Sequence, residues 1–277
     1  MNQLEPYNFF FELPLYTKIH VTEANGRDFM DLMMTKKNID AYNPILKQQT
    51  TFVIVRNPWS NKSQLTRDRI GAYQGISEFE LQCVRNNYRM KIFLNVNVIY
   101  HDDDQDKIEE CTVMKIGQYP SIADIHISKI RQYDKVLSND KLKEITKAVG
   151  LAANGVGIGS FVYLRRVFEY LIEESHQIAK TGNGWDEQRY VQNRMIEKID
   201  QLNNHLPSFL VENKNLYSIL SKGIHELEEN ECLEYFEAVK VGIELILDEK
   251  VEEYNKMKKI EEAKKRIQNI GQQLSKK

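Results

Sequence analysis

The spacing of apolar residues changes once along this chain, at Pro120-Ser121, and that change commits the two halves to different architectures. Before it, apolar and β-branched residues come in short runs bounded by turn residues, the pattern of strands. In Arg89–Tyr100, Met90, Ile92, Leu94, Val96 and Val98 alternate with Lys91, Phe93, Asn95, Asn97 and Ile99. A period of two puts one aliphatic face on a core and leaves the other mostly polar. Further strands are expected at Tyr7–Leu13, Tyr16–Val21, Thr51–Arg56, Ser77–Val84 and Cys111–Gly117, with a short helix over Gly26–Thr35. The acidic run His101–Asp106 lies between two strand-like segments and is expected as a hairpin loop.

After the break the pattern is helical nearly to the end. Ser121 can cap a helix beginning at Ile122. Helices are expected near Ile122–Leu137, Asp140–Ala153, Ile158–Lys180, Asp186–Asn204, Leu216–Leu227 and Leu233–Leu274, with Asn183-Gly184 and His205-Leu206-Pro207 as breakers. A chain of 277 residues is comfortable as two domains. The expected fold class is α+β: a β-rich domain over residues 1–118, then an all-helical bundle over 119–277 with a long C-terminal helix.

A formal net charge of -2 gives no large single-sign field, so tight non-specific phosphate binding is not expected from the total. Cys83, Cys111 and Cys232 are odd in number and form no C-x-x-C pair, which fits a reducing, cytoplasmic setting and argues against a zinc ribbon. The N-terminal residues lack the basic and apolar regions of a secretory signal, so export is not expected. Ala148–Leu164 carries no charge, yet it holds four glycines and runs into an amphipathic continuation; burial in a bundle is the expected outcome, with no membrane span.

In the last helix, apolar positions recur at heptad-like spacing: Phe236, Val239, Ile243, Ile246, then Met257, Ile260, Ile267, Ile270 and Leu274. The second half is flanked by Lys256, Lys258, Lys259, Glu261, Glu262, Lys264 and Lys265. It reads either as a coiled-coil or partner-binding arm or as a solvated helix lying on its own domain.

Candidate chemistry is sparse. Gly155, Gly157 and Gly159 ahead of a helix can offer backbone N–H groups to an anion, but P-loop and Rossmann spacings are not met. The alternative is that glycine there lets two helices approach closely. Arg165 and Glu169 stand at i, i+4 and can pair, while the adjacent Arg166 must take another face. An arginine that grips RNA phosphate is the sharper reading of these two. Trp59, with Arg67 and Arg69 nearby, reads either as an exposed aromatic for stacking on a base or as loop packing. The acidic loop lacks EF-hand spacing, no metal or cofactor motif stands out, and G-x-S-x-G and H-E-x-x-H are missing.

Phe161-Val-Tyr-Leu-Arg-Arg-Val-Phe-Glu169, then a helical spacer, then Leu216-Tyr-Ser-Ile-Leu-Ser-Lys-Gly-Ile-His225, resembles the helical domains of uncharacterised bacterial proteins related to the HEPN superfamily. Lys115–Ser121 likewise looks like the linker of such proteins. The resemblance covers roughly the C-terminal half. It implies an antiparallel helical bundle, commonly a dimer, in a prokaryotic stress or phage-defence setting. In active members it implies a metal-independent ribonuclease in which an arginine, four to six intervening residues before a histidine, completes a site shared by two subunits. That would give His225 the acid/base role and Arg165 or Arg166 the phosphate. The chain departs from this pattern: five to seven residues before His225 stand Leu220, Ile219 and Ser218, and Lys222 is the nearby cation. Without a guanidinium there, the electrostatic part of phosphoryl transfer is weakened. The first expectation is therefore a non-catalytic binding or regulatory protein acting through self-association or another protein bound by the C-terminal helix. A divergent ribonuclease is the alternative, and RNA a candidate partner through Trp59, Arg67, Arg69 and Lys222.

Overall fold

The computed structural model describes residues 4–34, 38–59, 70 and 73–274, without the side chains of 104–106 and 127–129. It is an α+β protein, with an antiparallel six-stranded sheet in the N-terminal half and helices through the C-terminal half. The strands are β1 (Lys18–His20), β2 (Ile39–Asn43), β3 (Gln48–Arg56), β4 (Gly75–Cys83), β5 (Arg89–His101) and β6 (Asp104–Tyr119), in the order β1-β6-β5-β4-β3-β2. From β2 to β6 the sheet is a meander. The chain divides into two compact units: residues 1–129 with 149–156, and residues 130–148 with 157–277.

In the sheet unit the expected alternation is present: Met90, Ile92, Leu94, Val96 and Val98 of β5 are all buried. They pair across the ladder with residues that bury the same face, Leu81, Phe79, Ser77 and Val113 among them. The acidic hairpin closes at Asp102-Asp103, so β6 begins at Asp104, well before the expected Cys111. It also runs on to Tyr119, through the stretch that looks like a linker. Pro120, with no N–H for a ladder, ends it, and Ser121 then caps α2 (Ile122–Arg131): the Asp124 N–H donates to Ser121 Oγ at 3.2 Å.

In this unit one strand is added and one expectation is corrected. Ile39–Asn43 is a strand that short length and mixed polarity concealed. Tyr7–Leu13 is no strand; Asn8–Glu12 forms a π-helical turn, closed by the Leu13 N–H on the Asn8 carbonyl at 2.7 Å. Phe9, Phe10 and Phe11 are all fully buried, which a strand pointing alternate residues to opposite faces accommodates only between two layers. A helical turn instead stacks Tyr7 on Phe11, ring centroids 5.7 Å apart, and brings Phe11 to Phe52 of the sheet. The β preference of aromatic residues yields here to tertiary burial.

In the helical unit, α3 (Asn139–Ala153, which enters the sheet unit after Ala148), α4 (Gly157–Ala179), α8 (Asn215–His225) and α9 (Glu229–Leu274) carry the architecture, with α1 (Gly26–Met33) belonging to the sheet unit. The expected Asp186–Asn204 helix is instead α5 (Glu187–Gln192) and α6 (Met195–Gln201). Asn193 and Arg194 adopt extended backbone between them, and α6 restarts with the Arg194 N–H on the Glu197 carboxylate at 2.7 Å. A further short helix, α7 (Ser208–Glu212), precedes α8.

Candidate functional site

Arg165 and Arg166 of α4 both meet carboxylates of their own chain. The Arg165 Nε–H donates to Glu169 at 2.8 Å, the expected i, i+4 pair, and its Nη2 donates to the Tyr217 hydroxyl of α8 at 2.9 Å. Burial of the guanidinium is outweighed by Glu169 and Tyr217, which push its pKa above the ordinary value. Arg166 reaches the other way, to Glu144 of α3 at 2.7 Å. The two arginines thus tie α4 to two different neighbours.

His225 stands elsewhere. Phe161 of α4 packs on Gly223 of α8 while Arg165 packs on Tyr217, so the two helices run antiparallel. From Tyr217 to His225 is eight residues, roughly 12 Å of helix rise. Arg165 and His225 are therefore held at opposite ends of the α4–α8 contact within one chain. His225 and Lys222 are both exposed on the last turns of α8.

The glycine-rich start of α4 is occupied by an internal anion. The backbone N–H groups of Gly157 and Ile158 both donate to the Glu229 carboxylate, the latter at 3.3 Å. The helix N-terminus, favourable to negative charge, takes Glu229 where a phosphate was weighed. Close approach is the other half of the explanation. A Cβ at Gly157 would lie 2.5 Å from the Glu229 carbonyl oxygen and 2.8 Å from Cys232 Cβ. Gly157→Ala is expected to push α9 off the start of α4 and cost about 1–3 kcal/mol. The urea midpoint of the helical unit reads this, and an unchanged midpoint would mean that the two helix ends are not in contact.

Trp59 requires a correction. Its indole is fully buried, ringed by Tyr73, Phe79 and Phe29 at centroid distances of 4.7, 5.6 and 5.9 Å, with Nε1–H donating to Ser77 Oγ at 3.2 Å. It is a core residue of the sheet unit, presenting no face for a base. Arg67 and Arg69 lie outside the described residues. Among the described residues, no group of three His, Cys, Asp or Glu side chains is arranged to hold a metal ion.

Sequence reasoning missed a buried polar cluster in the sheet unit. Lys115 of β6 pairs with Leu94 and so points to the apolar face, where it is wholly buried. Its Nζ donates to Gln118 Oε1 at 2.9 Å and to the Phe9 carbonyl at 3.3 Å. Burial pulls its pKa down to about 7, and the Glu12 carboxylate opposes the fall. Glu12 also accepts from the Tyr7 hydroxyl at 2.7 Å and meets His126 Nε2 at 3.0 Å. The one signal in the sequence was parity: Lys115 sits in phase with Val113 and Cys111, the buried face of β6.

The last element is the most exposed. Glu249 of α9 accepts from the Ser208 and Phe209 N–H groups at the start of α7, and Lys250 pairs with Glu174 of α4. Past Val251 every described residue of α9, Glu252 to Leu274, is exposed. Met257, Ile260, Ile267, Ile270 and Leu274 are between 40% and 68% exposed, against 5% or less for Phe236, Val239, Ile243 and Ile246 earlier in the same helix. Of the sequence readings, the solvated helix is what residues 252–274 show, although they do not lie along their own domain. Among the described residues, no helix is long and apolar enough to cross a membrane.

Compared with family models, curated proteins and solved structures, the chain matches none.

Proposed function

We propose that this chain is a non-catalytic binding or regulatory protein that acts through self-association or partner recruitment, and that its working surface is the end of α9. The observation that carries this is the exposure of Met257, Ile260, Ile267, Ile270 and Leu274, all beyond the buried first half of α9. In proteins most helical stability comes from packing an apolar face. An apolar stripe rimmed by charge is the surface such a helix offers a partner. The internal pairing of Arg165 with Glu169 and of Arg166 with Glu144 supports a binding role over phosphoryl chemistry at His225. The HEPN-like reading of residues 119–277, and the prokaryotic stress or phage-defence setting it implies, belong to the same proposal.

The test is amide hydrogen exchange and affinity capture on the full chain, beside the double variant Ile260→Asp/Ile267→Asp. Slow exchange over residues 257–274 in the wild type, lost in the variant while α4 and α8 keep their protection, is the expected result. Fast exchange over that stretch in both proteins, with the same proteins captured by each, would overturn the reading.

A further inference from the structure

We propose that Asn183 is a site of spontaneous deamidation, the one Asn-Gly pair of three that the folded chain leaves open to the reaction. The site lies between α4 and α5 and is independent of the reading of α9.

Asparagine is a thermally labile residue, most of all before glycine, where no Cβ hinders the backbone nitrogen. In the reaction the Gly184 nitrogen attacks Asn183 Cγ and forms a C–N bond. The bond from Cγ to Nδ2 breaks, and Nδ2 leaves as ammonia, taking up the Gly184 proton. Water then opens the cyclic imide at either carbonyl, giving aspartate or isoaspartate and one added negative charge. The attacking nitrogen must lose its proton and swing onto its neighbour's side chain. A hydrogen bond from that N–H, or one that fixes the side-chain amide, therefore holds the reaction back.

Two of the three pairs are guarded in this way. At Asn25-Gly26 the Gly26 N–H donates to the Thr22 carbonyl at 2.8 Å, and the Asn25 amide donates to the His20 carbonyl at 2.9 Å while accepting from the Thr22 N–H at 2.7 Å. At Asn154-Gly155 the Gly155 N–H donates to the Ala152 carbonyl at 3.0 Å and Asn154 Nδ2 to the Gly150 carbonyl at 2.7 Å. Asn183 and Gly184 are exposed, and neither the Asn183 amide nor the Gly184 N–H has a hydrogen-bond partner among the described residues. A Cβ built on Gly184 would meet nothing within 4 Å, so open space surrounds the attacking nitrogen. The chain is held on both sides of this turn: the Gly182 N–H donates to the Ala179 carbonyl at 3.0 Å, and Asp186 caps α5 by accepting from the Arg189 N–H at 3.0 Å. Isoaspartate adds one main-chain carbon between those anchors. The contacts it disturbs are those that hold α5 on α4, the Glu187 carboxylate on His176 Nε2 at 2.9 Å and the Tyr190 ring stacked on His176 at 3.9 Å.

The experiment ages the full chain and Asn183→Gln side by side in mildly alkaline buffer, with a further wild-type sample held unfolded in guanidinium chloride. Tryptic peptides are followed by mass and by the chromatographic separation of aspartyl from isoaspartyl forms. Glutamine must close a larger imide ring and reacts far more slowly, and replacing an exposed side chain costs the fold little. In the folded chain the peptide 181–189 is expected to convert roughly 10- to 100-fold faster than those holding Asn25 and Asn154, the factor for freeing two modest hydrogen bonds. In the unfolded sample all three pairs convert at similar rates. Conversion of Asn25 or Asn154 as fast as Asn183 in the folded chain overturns the proposal, and so does an Asn183 that converts only in guanidinium. Amide exchange over α5 is expected to be faster in the aged wild type than in aged Asn183→Gln, with α8 alike in both. Equal exchange over α5 overturns the disturbance of its contacts and leaves the modification site standing.

Discussion

Trp59→Ala is expected to lower the stability of the sheet unit by about 3–5 kcal/mol, the range for deleting a fully buried large aromatic. The indole fills the space between Phe29, Tyr73 and Phe79, and its removal leaves a cavity that three rigid rings cannot close by small rotations. It also strips Ser77 Oγ of its indole donor. Equilibrium urea unfolding monitored by circular dichroism measures the loss. An exposed stacking residue would cost within about 0.5 kcal/mol on truncation. A midpoint that barely moves would therefore return Trp59 to the surface and revive its role as a platform for bases.

Lys115→Met is expected to abolish a pH dependence of stability that the wild type shows above neutrality. The folded pKa is about 7, below the ordinary lysine value of 10.5. Between those limits the unfolded chain binds a proton that the folded one does not, so stability rises with pH, by up to about 1.4 kcal/mol per pH unit. Below about pH 7 both states hold the proton and the contribution is flat, leaving the full cost of a buried ammonium. Two pH units above neutrality thus correspond to a gain of about 2–3 kcal/mol. Methionine keeps the stem and removes the titration. It also leaves Glu12 without that cation, so the absolute stability of the variant is less telling than its slope. Denaturant midpoints measured for both proteins from pH 7 to pH 9 decide it: parallel profiles would mean that Lys115 stays charged and solvated in the folded chain.

These two residues show where sequence reasoning stopped. Trp59 follows Pro58 in a segment rich in polar and basic residues, a composition that reads as surface loop, and nothing local announces the three aromatic partners from Phe29, Tyr73 and Phe79. Lys115 is in the correct phase for burial, but a lysine in an otherwise alternating strand is ordinarily read as the exposed member. Its acceptors are the Phe9 carbonyl, 106 residues away, and Gln118 on the same strand. The His225 reading fared differently. Spacing had already shown no arginine five to seven residues upstream, and the structure then placed Arg165 against Tyr217, two helical turns from the histidine.

What the sequence determined by itself were features whose cause lies within a few residues. The period of two in Arg89–Tyr100, the Ser121 cap, the Arg165–Glu169 pair and the α4, α8 and α9 helices follow from side-chain direction and neighbours three or four positions away. Only the tertiary structure decided which apolar stripes find a partner. The first half of α9 is buried on α4 and α8 and the second half is bare, although both carry similar heptad spacing. Periodicity records which face of a helix is apolar, while burial depends on whether another element arrives to cover it. Glu229 shows the same division: its charge is written in the chain, but its place at the start of α4, 72 positions from Gly157 in sequence, exists only once the helices have packed.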